Sequence, residues 1–411
     1  MNEQDRQPTL WYLICSTGIG GAERRIVKVS TYFAEQGLFS RVNLVVNRAL
    51  LDAYAKDLEL VQMLRTSPVR VMVKEGVFEK HLFPDSLKIR GIKKIHLYLK
   101  SHPYLYRRVL HRLSWYRFLK KRLGPKDVVH CFFGDPARNA CLLVSQKLPQ
   151  PVIIELTSNR LVERVGSQMK TMLDNGRQIS GRLCIRTVTS VVYRNLTRIV
   201  PGSFFESCGA DLAAYSGPFI AMGSDCIRRP KQKVIVFAHR FIEPKNPILF
   251  CRVVRALLDT GQLDGWQIKL RGRGPLEDDM RKILHPYIDN GIVDIGFSYE
   301  LGKELAESMI FVSIIITGNE PSNSVYEAMR NGNLLVLSRS GGTVGQFDHP
   351  DVAFVDIDMQ SLTEGLLNAT SSAEGSRFET KSEAMRRFFE HIKNHSGYVS
   401  DVRRIYEESL N

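Results

Sequence analysis

IRRPKQKVIVFAHRFIEPKN, residues 227–246, decides how the chain divides. Its first seven residues, IRRPKQK (227–233), are basic and proline-interrupted, a linker composition. The next seven, VIVFAHR (234–240), are a short apolar run that ends on a basic turn. Such a run reads as a strand buried on both faces of a parallel sheet. Before the break, LWYLICS (10–16), FSRVNLVV (39–46), VRVMVKE (69–75), DVVHCFF (127–133), PVIIEL (151–156) and TRIVPG (197–202) read the same way. After it come WQIKLRG (266–272), IVDIG (292–296), MIFVSIII (309–316), LLVLS (334–338) and VAFVD (352–356). Helical patterns lie between the strands. One is AERRIVKVSTYFAEQG (22–37), with Ile26, Val27, Val29 and Phe33 at helical spacing and Gly37 as its stop. Strands alternating with helices in two series predict two doubly wound α/β domains. The expected bounds are 1–226 and 227–380, with a C-terminal helix in 381–411 packing back on the first domain.

Length agrees, since 411 residues exceed what one core ordinarily organises. No apolar run approaches the ~20 residues that span a bilayer, and MNEQDRQPTL is too polar for a signal peptide. The seven cysteines are scattered, odd in number and free of CxxC spacing. They read as reduced thiols, which predicts a cytoplasmic protein and neither a disulfide framework nor a zinc site. The formal charge is +14, and thirteen lysines and arginines fall between Ser86 and Lys126, where there is no acid. The positive charge is therefore local.

In doubly wound sheets ligands bind at the carboxyl ends of strands, so the turns are where chemistry is expected. Gly18-Ile19-Gly20-Gly21 opens a helix whose free amides suit an anion; a tight turn alone would also want these glycines. Arg240 and Lys245 follow a strand, where an arginine fork and a lysine charge can clamp a diphosphate. Arg271-Gly272-Arg273-Gly274-Pro275 ends the next strand, with a helix expected from Pro275. In GNEPSNSVYEAMRNG (318–332) a helix is expected from Pro321 to Arg330. It presents Ser322, Asn323 and Ser324 at its N-terminus, with Glu320 just outside and Glu327 one to two turns in. Both acids could instead merely complement the helix dipole. Ser340-Gly341-Gly342-Thr343 is a further turn on the same edge. His130 ends a strand of the first domain, a place for acid–base work or for orienting a hydroxyl.

Taken together, these features resemble the GT-B glycosyltransferases, in particular the retaining family 4 enzymes. GIGGAERR is similar to that family's Gly-Gly-Ala-Glu-Arg turn and DVVHCFFG to its acceptor-side histidine strand. AHRFIEPKN resembles its diphosphate clamp, RGRGP its Gly-x-Gly-Pro turn, EPSNSVYEAMRNG its two-glutamate motif and SGGTVGQ the turn beyond. The family's glutamates stand eight residues apart. Here Glu320 and Glu327 are seven apart, and the eighth position is Asn319.

The resemblance implies two Rossmann-like domains facing a cleft, an acceptor-binding one and a nucleotide-sugar-binding one. It implies transfer with retention from a nucleotide diphosphate sugar, with no cofactor and no metal. Gly20, Gly21, Arg240, Lys245, Gly274, Asn319, Glu320, Ser322, Asn323, Ser324 and Glu327 would bind the donor. Glu327 would hold the ribose, and Glu320 or Asn319 the sugar. Arg240 and Lys245 would neutralise the leaving diphosphate, and His130 would orient a hydroxyl. His130, Arg240, Lys245 and Glu320 are thus the expected catalytic group.

HPYLYRRVLHRLSWYRFLKKRL (102–123) reads as a basic amphipathic helix. Arg107, Arg108, Arg112, Trp115, Arg117, Lys120 and Lys121 would meet an anionic membrane surface. At ~1 kcal/mol per engaged cation, four give ~4 kcal/mol. The plainer alternative is a solvated basic face on an ordinary core helix. No nucleic-acid motif accompanies the charge, so nucleic acid is not expected as a partner. The expectation is a cytoplasmic enzyme peripheral on the inner face of the cell membrane, extending a lipid-linked glycan, surface polysaccharide or glycolipid. A nucleotide-sugar epimerase on the same scaffold and a non-catalytic glycan-binding relative remain alternatives.

Overall fold

The structure, a computed structural model, describes residues 8–16, 19, 21–74, 115–132, 148–157, 162–163, 182–200, 210–220, 228–316, 323–340 and 342–410. The chain forms two compact units. One holds Met1–Val188, Val192–Ala221 and Gly397–Asn411; the other holds Thr189–Val191 and Met222–Ser396.

The first unit carries a seven-stranded sheet of β1 (Thr9–Leu13), β2 (Arg41–Val46), β3 (Val69–Val73), β4 (Val128–Cys131), β5 (Val152–Leu156), β6 (Leu183–Thr187) and β7 (Ala210–Leu212). Their order is β3-β2-β1-β4-β5-β6-β7, and every pairing is parallel. Strands β1, β4 and β5 are buried at every residue, which is why their sequences read as unbroken apolar runs. Helix α1 (Gly21–Glu35) covers one face with Ile26, Val27, Val29 and Phe33. Helices α2 (Arg48–Tyr54) and α3 (Leu58–Thr66) follow β2.

The described part of the expected strand TRIVPG, residues 197–200, is not strand: residues 190–199 form helix α4 (Ser190–Ile199), which buries Val192 and Leu196 four apart. The strands missed there are LCIRT and ADL, β6 and β7. A strand carrying a charged side chain among apolar neighbours gives a weak periodic signal.

The second unit carries a six-stranded sheet of β8 (Gln232–Ala238), β9 (Gln267–Arg271), β10 (Val293–Gly296), β11 (Ser308–Ser313), β12 (Leu334–Ser338) and β13 (Val352–Val355), in the order β10-β9-β8-β11-β12-β13, again all parallel. Helices α5 (Pro247–Asp259), α6 (Glu277–Asp289), α7 (Leu301–Glu307), α8 (Asn323–Arg330), α9 (Thr343–Gln346), α10 (Met359–Glu374) and α11 (Phe378–Asn394) connect and cover it.

The return to the first unit comes at Gly397 and not at residue 381. Gly332 explains why α11 stays behind. It ends α8 with φ +72°, and a Cβ there would lie 2.3 Å from Ser382 Oγ of α11, so the two helices touch at backbone distance. The last helix, α12 (Tyr398–Leu410), then buries Tyr398, Val402, Ile405 and Tyr406 in the first unit, beside Tyr12 and Phe33.

Candidate functional site

Each sheet reverses its winding direction once, between β1 and β4 in the first unit and between β8 and β11 in the second. At such a switch point the loops leaving neighbouring strands part and leave a crevice.

In the second unit three segments are tied together there. From β8 runs the turn 239–245, closed by a 3-10 turn over Glu243–Lys245. Asn246 takes φ 50° and ψ 39° to lead into α5, with Pro247 at the first helical position. Its side-chain amide donates to the Ile314 carbonyl at 3.3 Å, and the Ile316 amide donates to the Pro244 carbonyl at 3.0 Å. Ser324, in the first turn of α8, donates from Oγ to the Ala238 carbonyl at 3.4 Å. The end of β8, the end of β11 and the N-terminus of α8 are thus one locus, bringing Arg240, Lys245, Asn323 and Ser324 together. Glu327 lies half-buried in α8, one turn in from Asn323.

The electrostatics of this locus favour an anion. Arg240 is exposed and Lys245 half-buried, and among the described residues neither side chain has an ion pair or hydrogen bond. Burial, helped by the charge of Arg240, pulls the Lys245 ammonium down to about 8. The two cations repel one another, and a diphosphate would relieve that repulsion. His239, passed over in the sequence, is 8% exposed with a buried Nε2 that bonds to nothing. Burial first, and Lys245 second, hold its imidazole well below the usual histidine range, so it is neutral beside the two cations.

The glycines of Arg271-Gly272-Arg273-Gly274 serve this loop's backbone. A Cβ on Gly272 would stand 1.8 Å from the His239 carbonyl oxygen, and one on Gly274 would stand 2.2 Å from that of Phe241. The His239 and Phe241 amides donate to the carbonyls of Arg271 and Arg273, each at 3.0 Å. Gly274 is therefore held to glycine by the Phe241 backbone that lies against it. Helix α6 begins at Glu277, two residues after the expected Pro275. Gly20, Asn319, Glu320, Ser322 and Gly341 lie outside the described residues.

In the first unit Gly21 is the exposed first residue of α1. His130, expected to orient a hydroxyl, lies inside the first unit. It is 0% exposed, and both ring nitrogens are engaged: Nε2 lies 3.1 Å from Glu155 Oε2, and Nδ1 lies 2.6 Å from the Tyr406 hydroxyl. Glu155 is buried, contacts the Arg25 guanidinium, and accepts from the Tyr398 hydroxyl at 2.8 Å. A carboxylate can only accept, so His130 donates from Nε2–H and must accept at Nδ1. Tyr406 donates that bond, and Tyr12 in turn donates to Tyr406 across 2.7 Å. Burial, with the charges of Arg186 and Arg25, keeps His130 neutral. This network fixes α12 against β4 and β5. Arg25, Glu155, Arg186, Tyr398 and Tyr406 were missed in the sequence; the only signal was an acid and an arginine inside the strands IIEL and LCIRT.

The basic segment is described from residue 115 on. Trp115 is fully buried against Phe118, with Lys74 Nζ 4.7 Å from its ring centre, and Leu119 is buried one turn later. Trp115 belongs to the core and not to a membrane contact, because its apolar ring fills the space over the sheet face. Arg117, Lys120 and Lys121 are exposed, while Arg107, Arg108 and Arg112 lie outside the described residues. Among the described residues no helix is long and apolar enough to cross a membrane, and no group of three or more His, Cys, Asp or Glu side chains is gathered as for a metal.

Residues 232–370 match the family glycosyl transferases group 1. That match lies within the second unit and spans the whole locus of Arg240, Lys245 and α8. No curated protein sequence matches the chain. Among solved structures, a glycosyltransferase from Rickettsia africae is similar at 13% identity and a TM-score of 0.61, over 99% of each chain. Anabaena Alr3699/HepE in complex with UDP and glucose is similar at 12% identity and 0.62, over 97% of this chain and 99% of that one. The N-terminal domain of Candida albicans trehalose-6-phosphate phosphatase is similar at 10% identity and 0.62, over 96% of each. These likenesses show the fold, two Rossmann-like domains of the GT-B type. That a phosphatase's domain shares it means the fold alone does not name the reaction.

Proposed function

We propose that the chain moves a sugar from a nucleotide diphosphate sugar to a hydroxyl of a glycan acceptor, with retention of anomeric configuration. The observation that carries this reading is the cationic couple Arg240 and Lys245, without an ion-pair partner among the described residues, at the switch point of the sheet that matches the group 1 family. Breaking the glycosidic bond leaves negative charge on the departing diphosphate. Two cations and the N-terminal amides of α8 lie where that charge would develop, already oriented and partly desolvated. In this reading Glu327, half-buried in α8, accepts from the ribose hydroxyls. The two carboxylates of a glycosidase-type double displacement stand ~5–5.5 Å apart. We favour instead attack from the face of the leaving group, assisted by the leaving phosphate, as the family resemblance implies. The exposed Arg117, Lys120 and Lys121 support peripheral contact with an anionic membrane, and with it a lipid-linked acceptor in surface polysaccharide or glycolipid synthesis.

The test is a melting-temperature panel of UDP, GDP and their sugars on the wild type and on Arg240→Ala. A nucleotide at a hundred times its Kd stabilises the fold by ~2.7 kcal/mol. One nucleotide should raise the wild-type melting temperature and leave the variant unmoved. Equal shifts in both proteins would place the donor elsewhere.

A further inference from the structure

The C-terminal end of α11 carries two histidines four residues apart, His391 and His395, and both are exposed. That spacing brings side chains to one helix face, one turn apart. The imidazoles meet there: their ring centres are 4.1 Å apart and their planes are tilted by 36°.

His395 is held in one tautomer. Its Nδ1 lies 2.8 Å from the His391 carbonyl oxygen. A carbonyl only accepts, so Nδ1 carries the proton and Nε2 presents a lone pair. Metal-binding histidines are oriented in this way, with the second ring nitrogen donating to a backbone carbonyl or a carboxylate. An ion bound by both rings at ~2.0–2.1 Å needs the two ligating nitrogens about 3 Å apart. Rings 4.1 Å between centres reach that separation by a small rotation of His391. The backbone adds to this. Helix α11 ends at Asn394 with His395 as its C-cap, and the last carbonyls of a helix give that end a partial negative charge that favours a cation. Of the cations on the same turns, Lys393 is paired with Glu390 at 2.9 Å, and Arg387 is exposed, where solvent screens it.

We propose that His391 and His395 together chelate one divalent transition-metal ion of the class that prefers imidazole: copper, nickel or zinc. Each ring supplies one nitrogen, and water fills the remaining positions. The second imidazole acts at high local concentration and tightens binding by ~10² over one ring alone. The bound ion would fasten the last turn of α11, just before the chain returns to the first unit at Gly397. The site stands whether or not the donor reading holds.

The full chain is titrated calorimetrically with copper(II) chloride, because copper binds nitrogen ligands most tightly among these ions. The tightest copper site should weaken at least tenfold in His391→Asn and to the same degree in His395→Asn, since either change leaves a single imidazole. The paramagnetic resonance spectrum of the first copper equivalent should lose nitrogen couplings in both variants. A third protein joins His395→Asn to Lys393→His. It keeps a pair of histidines but sets them two residues apart, where side chains do not face each other, and it should bind no better than the single variants. Excess magnesium, which prefers oxygen ligands, should leave copper binding unchanged. Undiminished copper affinity in either single variant would overturn the proposal. So would recovery of wild-type affinity in the third protein, or displacement of copper by magnesium.

Discussion

Removing one oxygen atom should test the buried network that holds the C-terminal helix. The Tyr406 hydroxyl donates to His130 Nδ1 at 2.6 Å and accepts from Tyr12 at 2.7 Å. All three side chains are 0% exposed, so water cannot replace a lost partner. Tyr406→Phe leaves the ring and its packing intact and creates almost no cavity. It orphans two groups, the Tyr12 hydroxyl and His130 Nδ1. At ~1–3 kcal/mol for each buried unsatisfied group, the cost is roughly 2–6 kcal/mol. Tyr12→Phe removes only the terminal donor of the chain, and Tyr406 still donates to His130, so that change should cost about 1 kcal/mol. In the double variant His130 Nδ1 is the single orphan. It should therefore cost about 2 kcal/mol less than the sum of the two single changes. The assay is urea unfolding followed by tyrosine and tryptophan signals, with midpoints compared at constant slope. A Tyr406→Phe cost within 0.5 kcal/mol, or strict additivity in the double variant, would refute the assigned direction of these hydrogen bonds.

Three further outcomes follow from the geometry. Gly272→Ala places a Cβ 1.8 Å from the His239 carbonyl oxygen. It should cost about 3 kcal/mol, the upper range for overpacking, and should weaken nucleotide binding by displacing Arg240; unchanged melting and affinity would contradict the close approach. Lys245 titrates near 8 and is charged only below that value. KM for the nucleotide-sugar should therefore rise as pH passes from 7 to 9, and Lys245→Arg should flatten the profile; an unchanged profile in that variant would remove Lys245 from the site. His130 and His239 are both held well below the usual histidine value when folded. The unfolded chain takes up their protons first as pH falls below about 6.5. Stability should then drop by ~1.4 kcal/mol per pH unit for each histidine until its folded value is reached. Urea midpoints that stay constant between pH 7 and pH 5.5 would contradict this.

Much of this protein is decided locally, and that part was legible in the sequence. An apolar run followed by a glycine or basic turn and an amphipathic helix is a complete βα unit within about thirty residues. Two series of such units, broken at 227–233, therefore announced two parallel sheets. Arg240, Lys245 and the head of α8 were legible for the same reason, since in parallel sheets the turns that follow strands gather at one edge. What the sequence left open depends on partners far away along the chain. His130 reads as a strand-end histidine until Tyr406, 276 positions later, closes over it. Glu155 meets Tyr398 across 243 positions. Trp115 reads as one face of a basic helix until the sheet beneath it claims the ring. That Gly274 must be glycine to admit the Phe241 carbonyl shows only in the fold. Periodicity records which faces of an element are apolar; which distant group covers them, and how its donors and acceptors are matched, is settled only when the chain has folded.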